Sequence, residues 1–143
     1  MKGAEQVRVF FRGRQVDAAG EESRITLSVM GRRFLRGESR YVSYDDAELI
    51  EGATVPTILR INTEEVRLQR RGVVRCTQSF VPGQERHGDY RTPYGRFSLS
   101  TLTRRLRVRT LSNGVEEAYI FYTLYVDGVR QSDNTLEMRV EPM

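Results

Sequence analysis

The sequence predicts an all-β protein, built as a single antiparallel up-and-down β-barrel of roughly ten strands. Apolar and polar residues alternate in short runs, which is typical of strands that are buried on one face. Glycine and proline residues separate these runs at intervals of about ten to fifteen residues, as expected for the turns of an antiparallel meander. Closing such a meander into a barrel leaves no strand edge unpaired.

The length of 143 residues favours one domain that spans 1–143. No secretory signal pattern follows Met1, and no apolar run approaches the roughly 18 residues that a membrane span requires. Cys76 is the single cysteine, so it forms no internal disulfide, in agreement with a reducing compartment. We therefore expect a soluble, cytoplasmic protein that does not enter a membrane.

The first half of the chain begins with two alternating segments, Val7–Phe11 and Ile25–Val29, each of which predicts a half-buried strand. Between Asp45 and Glu51 the apolar spacing is helical, and the two adjacent aspartates suit the start of a helix. We expect about one or two helical turns there. Adjacent carboxylates at such a start more often cap the helix than share a catalytic pocket.

The turn after Leu68 is decided by the faces of its flanking strands. A two-residue loop would place a leucine opposite an arginine on one face. A three-residue loop over Arg70–Gly72, with its glycine in the left-handed conformation, instead pairs Leu68 with Val74 and Val66 with Cys76. We predict the three-residue loop because it pairs apolar residues.

Two-residue type I′ turns are predicted at Asn113-Gly114 and Asp127-Gly128. They produce pairs that all face the core: Leu106 with Phe121, Val108 with Tyr119, and Tyr119 with Leu136. The alternation along Phe97–Thr103 changes parity before Leu106, so we predict a β-bulge near Arg104-Arg105.

Several of these residues combine into motifs, namely Arg70-x-Gly72, Gln78-x-Phe80 and Tyr90-x-x-x-Tyr94-Gly95. In this pattern the chain resembles the YwiB-like family of uncharacterised bacterial proteins over nearly its whole length. The resemblance implies a calycin-like, lipocalin-type β-barrel and a cytoplasmic bacterial protein. It implies no activity, because that family has none assigned, and it supplies no catalytic residue.

No arrangement of catalytic or metal-binding residues stands out, so we predict a protein that is not an enzyme and holds no metal or cofactor. His87 is the only histidine and falls on a different element from Cys76, so the two do not form a nucleophile and its base. One histidine and one cysteine cannot complete a zinc site. Cys76 is expected to be a small buried side chain rather than a reactive thiol.

One end of the predicted barrel has a distinctive chemistry. Successive turns of a meander alternate between the two ends, which places the turns at Arg70–Gly72, Thr92–Gly95 and Asp127-Gly128 together. The last hairpin then puts Thr123 opposite Ser132 on its inward face, and the inward residues that we expect to form a ligand site are Arg70, Gln78, Tyr90, Tyr94, Tyr125 and Arg130. A guanidinium that donates paired hydrogen bonds, above an apolar lumen, suits a small amphipathic anionic ligand.

Other interpretations of this end stay open. Arginine and tyrosine residues near strand ends also form solvent-facing rims, with the arginine paired to Asp45, Asp46 or Asp127. Gln78 points inward and must find a hydrogen-bond partner, for which Thr101 is an expected candidate and a ligand is the alternative.

A second class of function, as a module that binds a protein or a nucleic acid, concerns the outer face. Arg105, Arg107 and Arg109 point outward in a row, and the predicted register sets Tyr122 and apolar neighbours beside them. An apolar and aromatic strip on the outside of a strand is unusual for a monomer. It fits a homodimer interface, a strip covered by the chain's own N-terminal strand, or a surface on which single-stranded nucleic acid stacks.

The overall charge does not favour the nucleic-acid interpretation. The formal net charge is +4, and Lys2 is the only lysine, so the positive charge is almost entirely arginine. These charges are scattered along the chain instead of forming a run. We therefore do not expect a dedicated nucleic-acid binder.

Overall fold

The computed structural model describes residues 4–143, so Met1–Gly3, the start of the predicted domain, lies outside the described residues. Ten antiparallel strands follow one another: β1 (Glu5–Asp17), β2 (Glu22–Arg36), β3 (Ser39–Asp46), β4 (Val55–Ile61), β5 (Val66–Arg71), β6 (Arg75–Phe80), β7 (Glu85–Thr92), β8 (Gly95–Thr110), β9 (Glu116–Val126) and β10 (Val129–Pro142). Each strand pairs with its sequence neighbours, and β10 returns to β1 to close the barrel. The predicted all-β, up-and-down barrel is confirmed.

The segment predicted to form helical turns, Asp45–Glu51, is instead the end of β3 and a turn. Asp45 pairs with Pro56 and Asp46 with Val55 on β4, and no helix occurs in residues 4–143. Asp46 stays in the strand because it is the buried partner of an arginine inside the barrel. A local spacing rule cannot detect that long-range pairing.

The strands differ in length, and the long ones lie side by side. β3 to β7 contain six to eight residues each. β1, β2, β8, β9 and β10 contain 11 to 16. The long strands are consecutive in the sheet, in the order β2, β1, β10, β9, β8, and we call them the long wall; β3 to β7 form the short wall.

Inward side chains pack the middle of the barrel. Ile120 has no exposed surface, and Phe11 and Phe80 keep 8% and 2%. Phe11 lies 5.5 Å from Tyr44 and Phe80 lies 4.9 Å from Tyr122, measured between ring centroids. Such aromatic pairs contribute about 0.5–1.5 kcal/mol beyond the burial of their apolar surface. The middle of the barrel is therefore a packed core.

The turn at Asp127-Gly128 has the predicted type I′ form. Its φ angles are 49° and 80°, and Tyr125 faces Arg130 as expected. Beyond that pair, a β-bulge between Arg130 and Ser132 shifts the register, so Thr123 does not face Ser132 as predicted. The bulge predicted near Arg104-Arg105 is confirmed by a separate register shift in β8.

The loop predicted at Asn113-Gly114 is one residue longer than expected. Leu111 donates its backbone N–H to the carbonyl of Val115, so the turn consists of residues 112–114. Its last residue, Gly114, has a φ of 81°, which glycine adopts without strain. A three-residue turn of this kind is the next most common hairpin connection after the two-residue form.

This extra residue exchanges the two faces of β9, because side chains alternate along a strand. Ile120 and Tyr122 point into the barrel, whereas Tyr119 and Phe121 point outward. The three predicted pairs are therefore wrong, and the observed pairs are Leu106 with Ile120, Val108 with Ala118 and Tyr119 with Glu137.

The loop after β5 has the predicted three residues but a different position. It covers Gly72–Val74 rather than Arg70–Gly72, since Arg71 pairs with Arg75. The predicted pairs of this hairpin are therefore wrong, and those observed are Leu68 with Gln78 and Val66 with Phe80. The displacement places Val74 in the interior, where it has no exposed surface.

Candidate functional site

Arg70 lies on the inward face of β5, as the sequence predicts, but it is already paired. Its Nη1 lies 3.0 Å from Oδ2 of Asp46 and donates to Oγ1 of Thr57 at 3.1 Å. The side chains of Arg70 and Asp46 are 13% and 5% exposed. Asp46 is one of the three aspartates expected as a partner for an arginine at this end, and it satisfies the guanidinium of Arg70 inside the protein.

Three titratable side chains surround this ion pair, and burial raises the pKa of each of them. Burial raises the pKa of Tyr44 to about 12. Burial also raises the pKa of the Cys76 thiol and of Tyr90. A protonated thiol is a poor nucleophile, in line with the interpretation of Cys76 as a small buried side chain. The sequence analysis missed Tyr44, although it continues the alternation of buried Val42 in β3.

Three residues of the predicted lumen site lie elsewhere. The exchanged faces of β9 turn Tyr125 and its partner Arg130 outward, where Arg130 forms an ion pair with Asp133. Tyr94 is 83% exposed in the turn between β7 and β8, beyond the barrel wall. The structure therefore does not bring these residues to Arg70, and only Tyr90 shares its surroundings.

Gln78 behaves as one of the two sequence interpretations expects. Its Nε2 donates to Oγ1 of Thr101 at 3.1 Å, across from β6 to β8. This bond satisfies an inward amide that would otherwise be costly to bury. Gln78 is consequently part of the core.

A second buried ion-pair cluster closes the opposite end of the barrel. Arg33 is 6% exposed, and its Nη1 donates to Oε1 of Glu116 at 2.9 Å and to the carbonyl of Gly114 at 2.8 Å. Arg40 reaches the other carboxylate oxygen at 3.4 Å. Burial raises the pKa of Glu116 against the pull of both arginines. This cluster was not predicted from the sequence, although Arg33 continues the inward alternation of Ile25–Val29.

The outer arginine row of β8 is placed as predicted, but its neighbours differ. Arg105, Arg107 and Arg109 face Phe121, Tyr119 and Glu117 respectively. Tyr122 points inward onto Phe80, so its predicted place on the outer face is wrong. The N-terminal strand β1 does not cover the row either, because it lies within the long wall between β10 and β2.

The outer face of the long wall forms a groove of about 620 Å³. Among residues 4–143 its lining comes from the five long strands. Ten of the fourteen lining residues lie on the strand face opposite to the core residues Phe11, Leu27, Ala118 and Met138, so the groove lies on the outside of the barrel. Two of its three aromatic lining residues point outward, Phe10 from β1 and Tyr119 from β9, the latter 38% exposed, whereas the third, Phe11, belongs to the core. We call it the outer groove.

Charged side chains surround these rings. Arg12 is paired with Glu137, and Arg109 lies 2.7 Å from Glu117. The lining contains more arginines than glutamates and so carries a net charge of +2. The arginines are Arg12, Arg107, Arg109 and Arg139, and the glutamates are Glu117 and Glu137. Arg107 lines the groove directly opposite Tyr119 and forms no ion pair with any residue in the described part of the chain.

From Ala4 to Met143, no three histidine, cysteine or acidic side chains are grouped so that they hold a metal ion. Over the same residues, no helix has the length and apolarity to cross a bilayer.

The chain is similar to known proteins in both sequence and fold. The family described as a domain of unknown function (DUF1934) matches residues 9–138. The crystal structure of the ywiB protein from Bacillus subtilis is similar, with a TM-score of 0.86 and 22% identity over 100% of this chain and 95% of that chain. The resemblance to the YwiB-like family is confirmed, and at this identity the structural likeness shows the fold alone. Among curated proteins, none is significantly similar to this chain.

Proposed function

The chain belongs to the family described as a domain of unknown function (DUF1934). From its surface geometry, we propose that it binds a small amphipathic anion in the outer groove. Arg107 is the observation that carries this proposal. It is exposed, lies opposite Tyr119, and has no ion-pair partner in residues 4–143. Binding, without a chemical reaction, is the activity that such a site supports.

The size and lining of the groove suit a small organic molecule. Ligand sites typically enclose about 300–1,000 Å³, and the outer groove has about 620 Å³. Phe10 and Tyr119 offer apolar surface for the body of the ligand, while Thr26 and Ser28 add hydroxyl groups. A molecule with one apolar ring system and one anionic group would contact both kinds of lining.

The charge of the groove selects an anion. Arg109 and Arg139 share the carboxylate of Glu117, so much of their charge is already compensated. Arg107 is not compensated in this way, and its fork of N–H groups matches a carboxylate, phosphate or sulfonate. The anionic group of the ligand would therefore be held at Arg107, with its apolar part over Tyr119.

The same charge argues against a homodimer built on this face. A two-fold interface brings identical patches together, so two grooves of net charge +2 would face each other. Like charges across an interface oppose association. An anionic ligand is complementary to the groove, whereas a second copy of the chain is not.

Fluorescence titration with 1-anilinonaphthalene-8-sulfonate, an aromatic sulfonate, tests the proposal. We expect saturable binding to one site, weakened at least fivefold in Arg107→Ala and in Tyr119→Ala. Arg105→Ala is the matched control, because it removes the same charge two residues away on the same strand but outside the groove. Near-ultraviolet circular dichroism of each variant verifies that the fold is kept.

The neutral analogue N-phenyl-1-naphthylamine separates charge from apolar contact. Its affinity should fall in Tyr119→Ala and stay unchanged in Arg107→Ala. The proposal is wrong if the sulfonate fails to bind, or if Arg105→Ala and Arg107→Ala weaken it equally.

A further inference from the structure

Four arginines form a row across the outer rim of the barrel, on the short wall and the start of β8. Arg71 of β5 faces Arg75 of β6, which faces Arg91 of β7, which in turn faces Arg96 of β8. Neighbouring strands lie about 4.8 Å apart, so this arginine row spans roughly 14 Å. Like charges directly opposite one another in a sheet are destabilising.

Few acidic groups offset the arginine row. Asp89 lies 2.8 Å from Arg96 and 4.0 Å from Arg91, and all three side chains are more than half exposed. Arg71 and Arg75 form no ion pair with any residue from Ala4 to Met143. Two neighbouring guanidinium groups at one end of the row are thus free to hold an anion.

The row borders a second groove, of about 450 Å³. Arg71, Arg75 and Arg91 line it, together with Gln69 and Thr77, whose polar side chains point to the same outer face. Asp89 is its single acidic lining residue among those described. The groove therefore offers several hydrogen-bond donors and an excess of positive charge in one place.

An exposed aromatic residue lies three residues after Arg91, a lining residue of this groove. Tyr94 is 83% exposed and belongs to the short turn that joins the strands carrying Arg91 and Arg96. Aromatic rings beside a cationic surface are the platforms on which nucleic-acid bases stack. This arrangement places a stacking surface at the end of the row where the arginines are partly neutralised by Asp89.

We propose that the arginine row binds a nucleoside polyphosphate, with its phosphates at Arg71, Arg75 and Arg91 and its base on Tyr94. Arginine forks bind phosphate oxygens in pairs, and one phosphate reaches two arginines on neighbouring strands about 4.8 Å apart. A row of four exceeds what one phosphate engages, so a chain of phosphates fits it better. One largely exposed ring, Tyr94, and a groove of about 450 Å³ suit one nucleotide, whereas a nucleic-acid strand needs a longer series of rings.

Isothermal titration calorimetry with adenosine triphosphate, in parallel with inorganic triphosphate, tests this site. We expect the wild-type protein to bind both, and Arg75→Ala to weaken both at least tenfold. Tyr94→Ala should weaken adenosine triphosphate at least fivefold and leave inorganic triphosphate unchanged. Arg32→Ala is the matched control, because Arg32 is exposed on β2, three strands away from β5 and outside the lining of the second groove, and its removal changes the net charge equally.

Several results would overturn the proposal. It is wrong if adenosine triphosphate does not bind, if Arg32→Ala weakens binding as much as Arg75→Ala, or if Tyr94→Ala affects both ligands equally. It is also wrong if a single-stranded oligothymidylate binds more than tenfold tighter than adenosine triphosphate, because the row would then recognise a nucleic-acid strand. All three variants alter exposed side chains, so their folding is expected to be unchanged.

Discussion

Replacing Asp46 by alanine tests whether Arg70 is held by an internal ion pair and so withheld from ligands. The change leaves the guanidinium with Oγ1 of Thr57 as its hydrogen-bond acceptor, at 3.1 Å. Breaking a buried pair costs about 3–5 kcal/mol. Arg70 is 13% exposed and can recruit some water, so the lower end applies, about 3 kcal/mol. For a domain of this size that corresponds to a fall of about 10 °C in Tm.

Urea unfolding, followed by circular dichroism, measures this free energy directly. Asp45→Ala is the control, because Asp45 is the exposed neighbour of Asp46, and it should stay within about 0.5 kcal/mol of wild type. In the double variant Arg70→Met/Asp46→Leu, no buried charge is left unpaired, so most of the lost stability should return. The reasoning is refuted if Asp46→Ala is as stable as Asp45→Ala, or if the double variant is less stable than Asp46→Ala.

Three further predictions concern other parts of the barrel. Burial raises the folded-state pKa of Glu116, so its contribution to the free energy of unfolding falls as the pH rises above 4.5; melting curves across that range should show this fall in wild type and not in Glu116→Gln. Gly128 has a φ of 80°, so Gly128→Ala should lower the free energy of unfolding in urea by about 1–2 kcal/mol. Gly13→Ala is the control and should leave that free energy unchanged, because an added Cβ meets its nearest side-chain atom at 3.6 Å, an ordinary contact distance. Equal losses of stability in the two variants would contradict the account. Sodium sulfate should raise the Tm of wild type and of Arg32→Ala more than that of Arg75→Ala, and equal increases would count against an anion site at the arginine row.

The barrel could be predicted from the sequence because its determinants are local. Apolar alternation fixes which residues of a strand face inward, and Asp127-Gly128 fixes its turn through the φ angles that those residues tolerate. The bulge near Arg104-Arg105 follows in the same way from a change of parity within one strand. None of these inferences requires knowledge of a distant partner.

The faces of β9 could not be predicted as securely, because they depend on the length of one turn. Asn113-Gly114 fits both a two-residue turn and the end of a three-residue turn, and the second is the one that forms. A difference of one residue turned Tyr125 outward and Tyr122 inward. The outward direction of Arg107 and Arg109 was therefore predicted, whereas Tyr119, the aromatic residue opposite Arg107, was predicted to point inward.

The two ion-pair clusters and the arginine row depend on contacts that sequence spacing does not reveal. Arg33 and Glu116 are 83 residues apart, and each alone reads as an ordinary charged residue near a strand end. Arg71 and Arg75 face each other because the loop between them is Gly72–Val74, two residues further on than the alternation suggested. Arg91 lies beside Arg75 because β7 pairs with β6 at this position.

The most direct test of the central claim, that the ligand lies in the outer groove and not in the barrel lumen, is a side-by-side titration of Arg107→Ala and Arg70→Met with 1-anilinonaphthalene-8-sulfonate. The account predicts at least fivefold weaker binding in Arg107→Ala and an unchanged dissociation constant in Arg70→Met, once folding is verified. Unchanged binding in Arg107→Ala together with a loss in folded Arg70→Met would contradict it and would place the ligand in the lumen.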